Sequence, residues 1–476
     1  MHVESRRIVE PVSRRELLVS AGAGLGFVGL ASAFADAAEL NVASAATGDP
    51  WSTADPLAPR RPHFAPRVRR VVQFFLNGGP SHIDTFDPKP LLERYAGQPL
   101  PFSLTTERKT GGALPSPFRF RKHGQSGLEI SELFTHTAAH ADSLAVIRSM
   151  QAQIPNHEPS LMLMNCGDSV QPRPSVGSWI LYGLGSENRN LPGFVVMCPG
   201  GYPVVDKTNW QSGFLPGAFQ GTYVDSQHEC AEKLIENIKS PHASDATQRR
   251  QLELLRAVNA AHREPRHDPR LDARIQSFEL AYKMQLEASD AFDLAQEPRA
   301  IRELYGDGVH GRQTLIARRL LERGVRYVQL WHGAGQPWDH HTEVAKGLRQ
   351  NAGEIDGPIA ALLTDLKQRG MFEDTLVVWG GEFGRTPVSE GDTGRDHNPY
   401  GFTVWLAGGG VRGGTVYGAT DDFGFRAVDR PTSVHDLHAT LLHLLGFDHK
   451  ALTYRYAGRD FRLTDVHGRV LHGVLA

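Results

Sequence analysis

The sequence predicts an α/β fold in which a mostly parallel central sheet is flanked by helices. Short apolar runs bounded by glycine or proline recur along the chain, as in strands that are buried on both faces of a sheet. Segments with apolar residues three and four apart separate these runs, which is the spacing of an amphipathic helix. Strands that alternate with helices indicate an α/β sandwich.

Six apolar runs are predicted to be strands of this sheet. They are residues 71–76, 143–148, 194–197, 325–330, 375–379 and 402–406. The clearest helical face consists of Ile355, Ile359, Leu362 and Leu366. Residues 246–322 are rich in helical spacing, and residues 434–446 read as one helix that ends at a glycine.

Composition excludes several classes of protein. Hydrophobic residues make up 40% of the 476 residues and charged residues 22%, which excludes wholesale disorder. A formal net charge of -2 provides no global field to hold nucleic acid, so no nucleic-acid partner is expected. Cys166, Cys198 and Cys230 are too widely spaced for a disulfide framework or a CxxC zinc site. The 22 histidines direct attention to metal binding and acid–base chemistry.

Residues 1–37 are predicted to be an export signal. Arg14 and Arg15 precede a Gly- and Ala-rich apolar run that ends at small residues, an arrangement that resembles the twin-arginine (Tat) type. A membrane anchor is the alternative, but the run is shorter than the ~20 apolar residues of a span. The protein is therefore expected in the periplasm or outside the cell, without a membrane span. Residues 38–66 read as a linker and residues 67–476 as one large domain.

Polar clusters follow or precede the predicted strands at one edge of the sheet. Ligands of open α/β sheets bind beyond the carboxyl ends of the strands, so these clusters are expected to meet. The candidate metal ligands are Asp339, His341, His397, Glu382, His82 and Asp84, and the candidate catalytic residues are His157 and Arg385. Carboxylate oxygen with neutral imidazole suits Zn²⁺ or Mn²⁺, whereas an all-oxygen cage suits Mg²⁺ or Ca²⁺ better.

Each cluster also has a purely structural interpretation. Asp339 and His341 are the kind of residues that cap a helix, and His397 stands in what reads as a turn. His82 and Asp84 are placed to stabilise a Gly-Pro loop. Glu382 is three residues from Arg385 and is a candidate for a salt bridge with it.

Several motifs resemble the DUF1501 family. They are Asn-Gly-Gly-Pro-Ser-His-Ile-Asp at 77–84, Gly-Glu-Phe-Gly-Arg-Thr-Pro at 381–387, Asp-His-Asn-Pro at 396–399, His-Asp-Leu-His-Ala-Thr at 435–440 and Ala-Gly-Arg-Asp-Phe-Arg-Leu-Thr-Asp at 457–465. The family consists of secreted bacterial proteins, abundant in planctomycetes and often described as sulfatase-like. It is similar to the alkaline phosphatase superfamily, which holds two metal ions beside a nucleophile.

The resemblance implies a role for some residues and leaves others in doubt. Asp339, His341 and His397 match the superfamily's ligands to one metal ion. Glu382 stands where the superfamily has an Asp-His pair on the second ion, but Phe383 replaces the histidine. The first strand should end in a metal-binding aspartate, and this chain has Asn77. The loop after the second strand should present a nucleophile; Ser160 is a candidate but is expected on the following helix.

The resemblance and the polar clusters together predict an exported, metal-dependent hydrolase of sulfate or phosphate esters. It would bind one or two ions, Zn or Mn with Ca as an alternative, and act on a small-molecule or glycan ester. His157 would orient a water, act as general base or be a further ligand, and Arg385 would clamp the anionic group. Neither Cys166 nor Cys198 has the sequence context of a formylglycine sulfatase. A degenerate binder of anions or glycans and an assembly partner of another exported protein stay open as alternatives, and so does the oligomeric state.

Overall fold

The first apolar run after the predicted linker forms the middle of the main sheet. In the computed structural model, which describes residues 56–235, 245–263 and 290–476, this run is strand β1 (Arg70–Phe75). Five of its six residues are buried, as expected for a strand covered on both faces. The predicted export signal, residues 1–37, lies outside the described residues.

The strands are short and are distributed along the whole domain. After β1 they are β2 (Thr110–Ala113), β3 (Phe120–His123), β4 (Leu128–Ser131), β5 (Leu144–Gln151), β6 (Phe194–Met197), β7 (Thr222–Val224), β8 (Tyr327–Trp331), β9 (Thr375–Gly380), β10 (Gly384–Glu390), β11 (Gly394–Asn398), β12 (Phe402–Gly408), β13 (Thr415–Tyr417), β14 (Ala419–Thr420), β15 (Ala427–Asp429), β16 (Thr432–Ser433), β17 (Tyr454–Tyr456) and β18 (Arg459–Phe461).

The α-helices lie between these strands. They are α1 (Leu91–Arg94), α2 (His157–Cys166), α3 (Val176–Leu184), α4 (Ala231–Leu234), α5 (Asp245–Arg263), α6 (Arg299–Tyr305), α7 (Val309–Glu322), α8 (Val344–Gln368) and α9 (Val434–Leu444). Within the described ranges, no helix is both long enough and apolar enough to cross a membrane.

The strand order of the main sheet is β13-β5-β12-β9-β1-β8-β6-β7, and β16 also pairs with β5. Strand β1 is parallel to β8 and β9, and β6 is parallel to β7 and β8. Only β12 runs antiparallel to its neighbours in this sheet, β5 and β9. The mostly parallel α/β sheet predicted from the sequence is therefore confirmed, and all six predicted strands are present within three residues of their predicted bounds.

Helix α8 packs its predicted apolar face into the core. Ile355, Ile359, Leu362 and Leu366 are at most 4% exposed. They belong to one buried cluster with Val72 of β1 and residues from several other strands. Burial of these faces fixes the helices against the sheet and leaves the carboxyl ends of β1, β8 and β9 as the place where loops meet.

A second, three-stranded antiparallel sheet was not predicted. Its order is β11-β10-β2, and its hairpin begins directly after β9. From the sequence, residues 381–387 were a polar cluster after a strand, and residues 394–399 were predicted to be a turn. The structure instead pairs Arg385 with His397 across the hairpin. This hairpin carries His397 back to the end of the main sheet.

The described part of the predicted linker, residues 56–66, has no helix or strand but bonds to the domain. The amide of Arg60 donates to the Leu184 carbonyl at 2.8 Å, and the amide of Phe64 donates to the Gly446 carbonyl at 3.1 Å. The segment thus follows the surface of the domain between α3 and the end of α9.

Candidate metal centre

Three histidine side chains converge on one aspartate beyond the carboxyl ends of the main strands. His157 is the first residue of α2, which follows β5. Asp339 and His341 lie in the loop after β8, and His397 lies in β11. One ligand atom from each of His157, Asp339 and His397 lies within 4.8 Å of the other two. The sequence therefore identified four residues that the fold brings together.

The donor atoms of His157, Asp339 and His397 are spaced as in a single small cation site, and His341 adjoins two of them. The Nε2 atoms of His341 and His397 lie 2.9 and 3.1 Å from Asp339 Oδ1, and 3.0 Å from each other. His157 Nε2 lies 3.4 Å from Asp339 Oδ2. Ligands of a tetrahedral zinc ion, with bonds of about 2.0–2.1 Å, are separated from each other by about 3.3 Å. The spacing of these side chains therefore fits a zinc ion.

Each of the three imidazoles is bonded through its other nitrogen to a glutamate. The pairs are His157 with Glu382 at 2.7 Å, His397 with Glu107 at 2.7 Å, and His341 with Glu390 in a short hydrogen bond. When a neutral imidazole donates its Nδ1–H to a carboxylate, its Nε2 carries the free lone pair. All three lone pairs then face the Asp339 carboxylate. Carboxylates in this position orient and strengthen histidine ligands in metal sites.

The carboxylates around these imidazoles favour positive charge at the centre, either as protons on the histidines or as a cation. Burial disfavours the charged form of His157, but hydrogen bonds to Asp339 and Glu382 raise the pKa of this imidazole to about 9. Burial also works against the ionised form of Asp339, but hydrogen bonds from the three histidines hold the pKa of this carboxyl well below its usual range. The carboxylates therefore attract positive charge to the point where the Nε2 atoms meet.

At two glycines, the backbone of another segment lies very close to the loop that carries Asp339 and His341. Gly78 has φ +110°, and a Cβ there would lie 2.6 Å from the Asp339 amide nitrogen. A Cβ on Gly394 would lie 1.7 Å from the His341 carbonyl oxygen. Only glycine permits both contacts, which bring the loop after β1 and the β10–β11 hairpin against the loop that carries Asp339.

Glu382 acts through His157 and does not join the donor cluster. It is fully buried at the end of β9, and its Oε1 accepts hydrogen bonds from the Gly78 amide at 2.9 Å and from His157. Its Oε2 has no hydrogen-bond partner among the described residues. From the sequence, Glu382 was a candidate metal ligand or a salt-bridge partner of Arg385. In the structure its carboxylate instead bonds the His157 imidazole and the Gly78 amide, so it orients an imidazole.

Arg385 is not free to clamp a substrate anion. Its side chain is 1% exposed, and it donates to the carbonyls of Gly78, Gly79 and Arg395 and to Asp339 Oδ1 at 2.7 Å. The prediction of an anion clamp is corrected here because the guanidinium is buried and already bonded within the protein. Arg385 instead holds the Asp339 carboxylate in place, which is a positioning role.

His82 and Asp84 are separate from the donor cluster. Asp84 is fully buried in a two-bond ion pair with Arg395, at 2.8 and 3.1 Å. His82 contacts the Gly424 carbonyl through Nε2 at 2.8 Å, and burial lowers its pKa. Both residues therefore tie the loop after β1 to other segments, in agreement with the structural interpretation of that motif.

Neither the predicted nucleophile candidate nor the buried cysteines present a free reactive group. Ser160 lies within α2, and its hydroxyl donates to the Ile154 carbonyl at 2.7 Å. Cys166 and Cys198 are buried, and burial raises the pKa of both thiols. The formylglycine chemistry excluded on sequence grounds has no support in these positions.

Glu107, Glu390 and Arg108 also lie at this centre and were not predicted from the sequence. Arg108 is a half-exposed side chain that bonds Glu390 at 3.1 Å, and its backbone amide donates to Asp396. Glu107 and Arg108 lie in an irregular stretch before β2, with no motif or periodicity to mark them. Glu390 could have been suspected only if the hairpin had been recognised, because its register places Glu390 opposite Gly394.

The chain was compared with known families and structures. The family model described as "Protein of unknown function (DUF1501)" matches residues 68–475. No curated protein matches the chain by sequence.

Three similar solved structures are hydrolases or superfamily members by name. A phosphonate monoester hydrolase from Silicibacter pomeroyi is 14% identical, with 72% of this chain and 71% of that chain covered and a TM-score of 0.33. A sulfatase from Pseudoalteromonas sp. is 10% identical, with coverages of 80% and 68% and a TM-score of 0.33. A protein in the alkaline phosphatase superfamily from Vibrio parahaemolyticus is 10% identical, with coverages of 86% and 74% and a TM-score of 0.38. At these scores, none of them says which residues of this chain are functional.

Proposed function

The chain belongs to the DUF1501 family of proteins of unknown function, and we propose that it is a metal-dependent hydrolase of sulfate or phosphate esters. The main observation in favour of a metal site is that three imidazoles, each hydrogen-bonded to a glutamate, converge on Asp339. The ester class rests on the resemblance of the motifs to the alkaline phosphatase superfamily. The substrate would be a small-molecule or glycan ester.

His157, His341, His397 and Asp339 would hold the ion. Three imidazole nitrogens and one carboxylate oxygen suit Zn²⁺ or Mn²⁺ better than Ca²⁺, which prefers six to eight oxygen ligands. With a further position open to water, such an ion would act as a Lewis acid and would lower the pKa of that water to about 7. The three glutamates keep the Nε2 lone pairs directed inward, and Arg385 fixes the orientation of the Asp339 carboxylate.

Arg108 is the side chain best placed to receive the substrate's anionic group. Its guanidinium is 52% exposed at the edge of the donor cluster and bonds a single described partner, Glu390. A guanidinium has five N–H donors, so most of them stay available for a sulfate or phosphate oxygen. Arg108 thereby takes the role that the sequence analysis gave to Arg385.

The experiment for the proposed function is elemental analysis of the purified protein together with an ester screen. We expect Zn or Mn to remain bound after gel filtration, and hydrolysis of nitrophenyl sulfate, phosphate or phosphonate esters to stop when a chelator removes the metal and to return when it is restored. Protein that folds with Zn²⁺ and Mn²⁺ present but retains neither ion would contradict the metal site.

Replacement of Arg108 by alanine is expected to raise KM by about 10-fold with little change in kcat. A charge-assisted hydrogen bond contributes about 1.5 kcal/mol or more, and about 1.4 kcal/mol corresponds to tenfold in binding. Steady-state kinetics on whichever ester is turned over will measure the change. Lys109, the exposed neighbouring cation, is the matched control, and its alanine variant should behave as wild type. Equal KM values for the Arg108 and Lys109 variants would reject this role.

A binding protein that has lost catalysis is the second candidate function. The specific observation in its favour is that Ser160 and Arg385, the predicted nucleophile and clamp, are both committed to bonds within the protein. Such a protein would hold the metal and bind sulfated or phosphorylated glycans without turnover. The ester screen distinguishes the two functions, because only the hydrolase releases product.

Export by the Tat pathway is also part of the proposal. Its basis is the twin arginine, Arg14 and Arg15, ahead of a short apolar run with small residues at its end. The N-terminal sequence of protein recovered from the exported fraction tests it. Retention of residues 1–37 on exported protein would argue against a cleaved signal.

A further inference from the structure

A second group of side chains that can ligate a metal lies beside Trp338. His310 is near the start of α7, His332 directly follows β8, and Glu354 lies in α8. Each offers one ligand atom, and these atoms lie within 4.8 Å of one another. We propose that His310, His332 and Glu354 form a second divalent-metal site, independent of the Asp339 cluster and suited to Zn²⁺.

Both imidazoles direct the same type of nitrogen at one carboxylate oxygen. Glu354 Oε2 lies 3.1 Å from His332 Nε2 and 3.6 Å from His310 Nε2. The two rings stack with centroids 4.3 Å apart and planes inclined by 25°. Two histidines and one glutamate form a donor set found in zinc enzymes, where the fourth position is left to water.

The neighbouring Gln313 selects the tautomer of the neutral His310 ring. The Gln313 amide group donates from Nε2 to the carbonyls of Met197 at 2.9 Å and Trp331 at 3.1 Å. Its Oε1 therefore faces His310 Nδ1, at 3.1 Å, and accepts the proton of that nitrogen. In the neutral ring, His310 Nε2 is then a bare lone pair directed at a carboxylate.

The lone pair on His310 Nε2 and the carboxylate oxygen Glu354 Oε2 are 3.6 Å apart, and they repel each other unless a positive charge lies between them. A divalent cation satisfies both groups and also His332. A proton on His310 is the competing solution, since it would turn the contact into an ion pair with Glu354.

The surroundings provide rigid support and access for an ion. The backbone amide of His332 donates to Asn77 Oδ1 at 3.3 Å, which ties the ligand to the loop after β1. A cavity of about 10 Å³, lined by both histidines and Gln313, adjoins the rings, and this volume approaches that of one water molecule. Glu354 is 42% exposed on its side chain, so solvent reaches the carboxylate.

The two metal centres share no ligand. Trp338 is fully buried, and its ring packs edge-on against His332 at 5.4 Å, while the next residue in the chain is Asp339. The second site joins α7, the end of β8 and α8, and each of these elements also packs in the main core. Loss of one ion is therefore expected to leave the other in place.

The test is zinc counting on the full chain. Protein stripped with a chelator is incubated with excess ZnCl₂, passed through gel filtration and analysed by elemental mass spectrometry. We expect Glu354→Gln and His310→Ala each to hold one zinc ion fewer than wild type, and His136→Ala, which changes an exposed histidine, to hold the same number. Because the Glu354 side chain is partly exposed, Glu354→Gln should fold normally, which circular dichroism checks.

The double variant His310→Ala/His397→Ala separates this inference from the proposed function. Two fewer zinc ions than wild type supports two independent sites. If His310→Ala and Glu354→Gln retain the wild-type zinc content, the second site is rejected and the contact is an ion pair between protonated His310 and Glu354. If only His397→Ala retains the wild-type content, the second site stands and the Asp339 centre fails.

Discussion

Replacing His397 by alanine is expected to remove the metal ion from the Asp339 centre and to reduce ester hydrolysis to the uncatalysed background. His397 Nε2 lies 3.1 Å from Asp339 Oδ1 and 3.0 Å from His341 Nε2, so its loss removes a donor that is close to both. With one imidazole gone, only His157, His341 and Asp339 remain. Elemental analysis and single-turnover kinetics on the same preparation measure both effects.

A graded variant distinguishes loss of a ligand from general damage to the site. Glu107→Gln leaves His397 in place but removes the carboxylate that accepts its Nδ1–H at 2.7 Å. Loss of such an orienting partner costs about 10–100-fold in metal affinity, so this variant should refill and regain activity at high metal concentration. His397→Ala should not regain activity. Wild-type metal content in His397→Ala would show that the convergence of imidazoles is not a metal centre.

The proximity of polar residues could be predicted from the sequence where side-chain chemistry and position in the chain coincide. Asp339, His341, His397 and His157 were identified because each follows or precedes a predicted strand of a parallel sheet, and the ends of such strands meet. The apolar runs are long enough and clearly enough bounded to identify the strands themselves. This rule assigns residues to one edge of the sheet, but it does not say which of them face each other.

The parts that were missed depend on pairing between distant segments. The β10–β11 hairpin has few of the apolar residues that marked the other strands, and its register decides where Glu390 and His397 lie. Glu107 reaches His397 from 290 residues away along the chain. Arg385 and Arg395 illustrate the same difficulty: both were in polar motifs, yet burial makes them structural cations. Local sequence patterns carry no information about such burial.

Replacement of Asp84 by asparagine is expected to lower the free energy of unfolding by about 3–5 kcal/mol, the usual cost of removing one partner of a buried ion pair. Asp84 and Arg395 are both fully buried and joined by two hydrogen bonds. The asparagine variant leaves the guanidinium without a counter-charge in a place that water cannot reach. Urea unfolding monitored by tryptophan fluorescence measures the change, with Asp460→Asn of the exposed Arg455–Asp460 pair as the control.

The same variant decides between the two interpretations of the loop after β1. If Asp84 is structural, folded Asp84→Asn protein keeps the wild-type metal content, and a second change, Arg395→Met, recovers part of the lost stability because no unpaired charge then remains buried. If Asp84 is a metal ligand, the asparagine variant loses metal while its unfolding free energy measured without metal stays close to that of wild type. The full burial of the ion pair favours the structural outcome, in which the acidic residue of the family-like motif holds the β10–β11 hairpin against the main sheet.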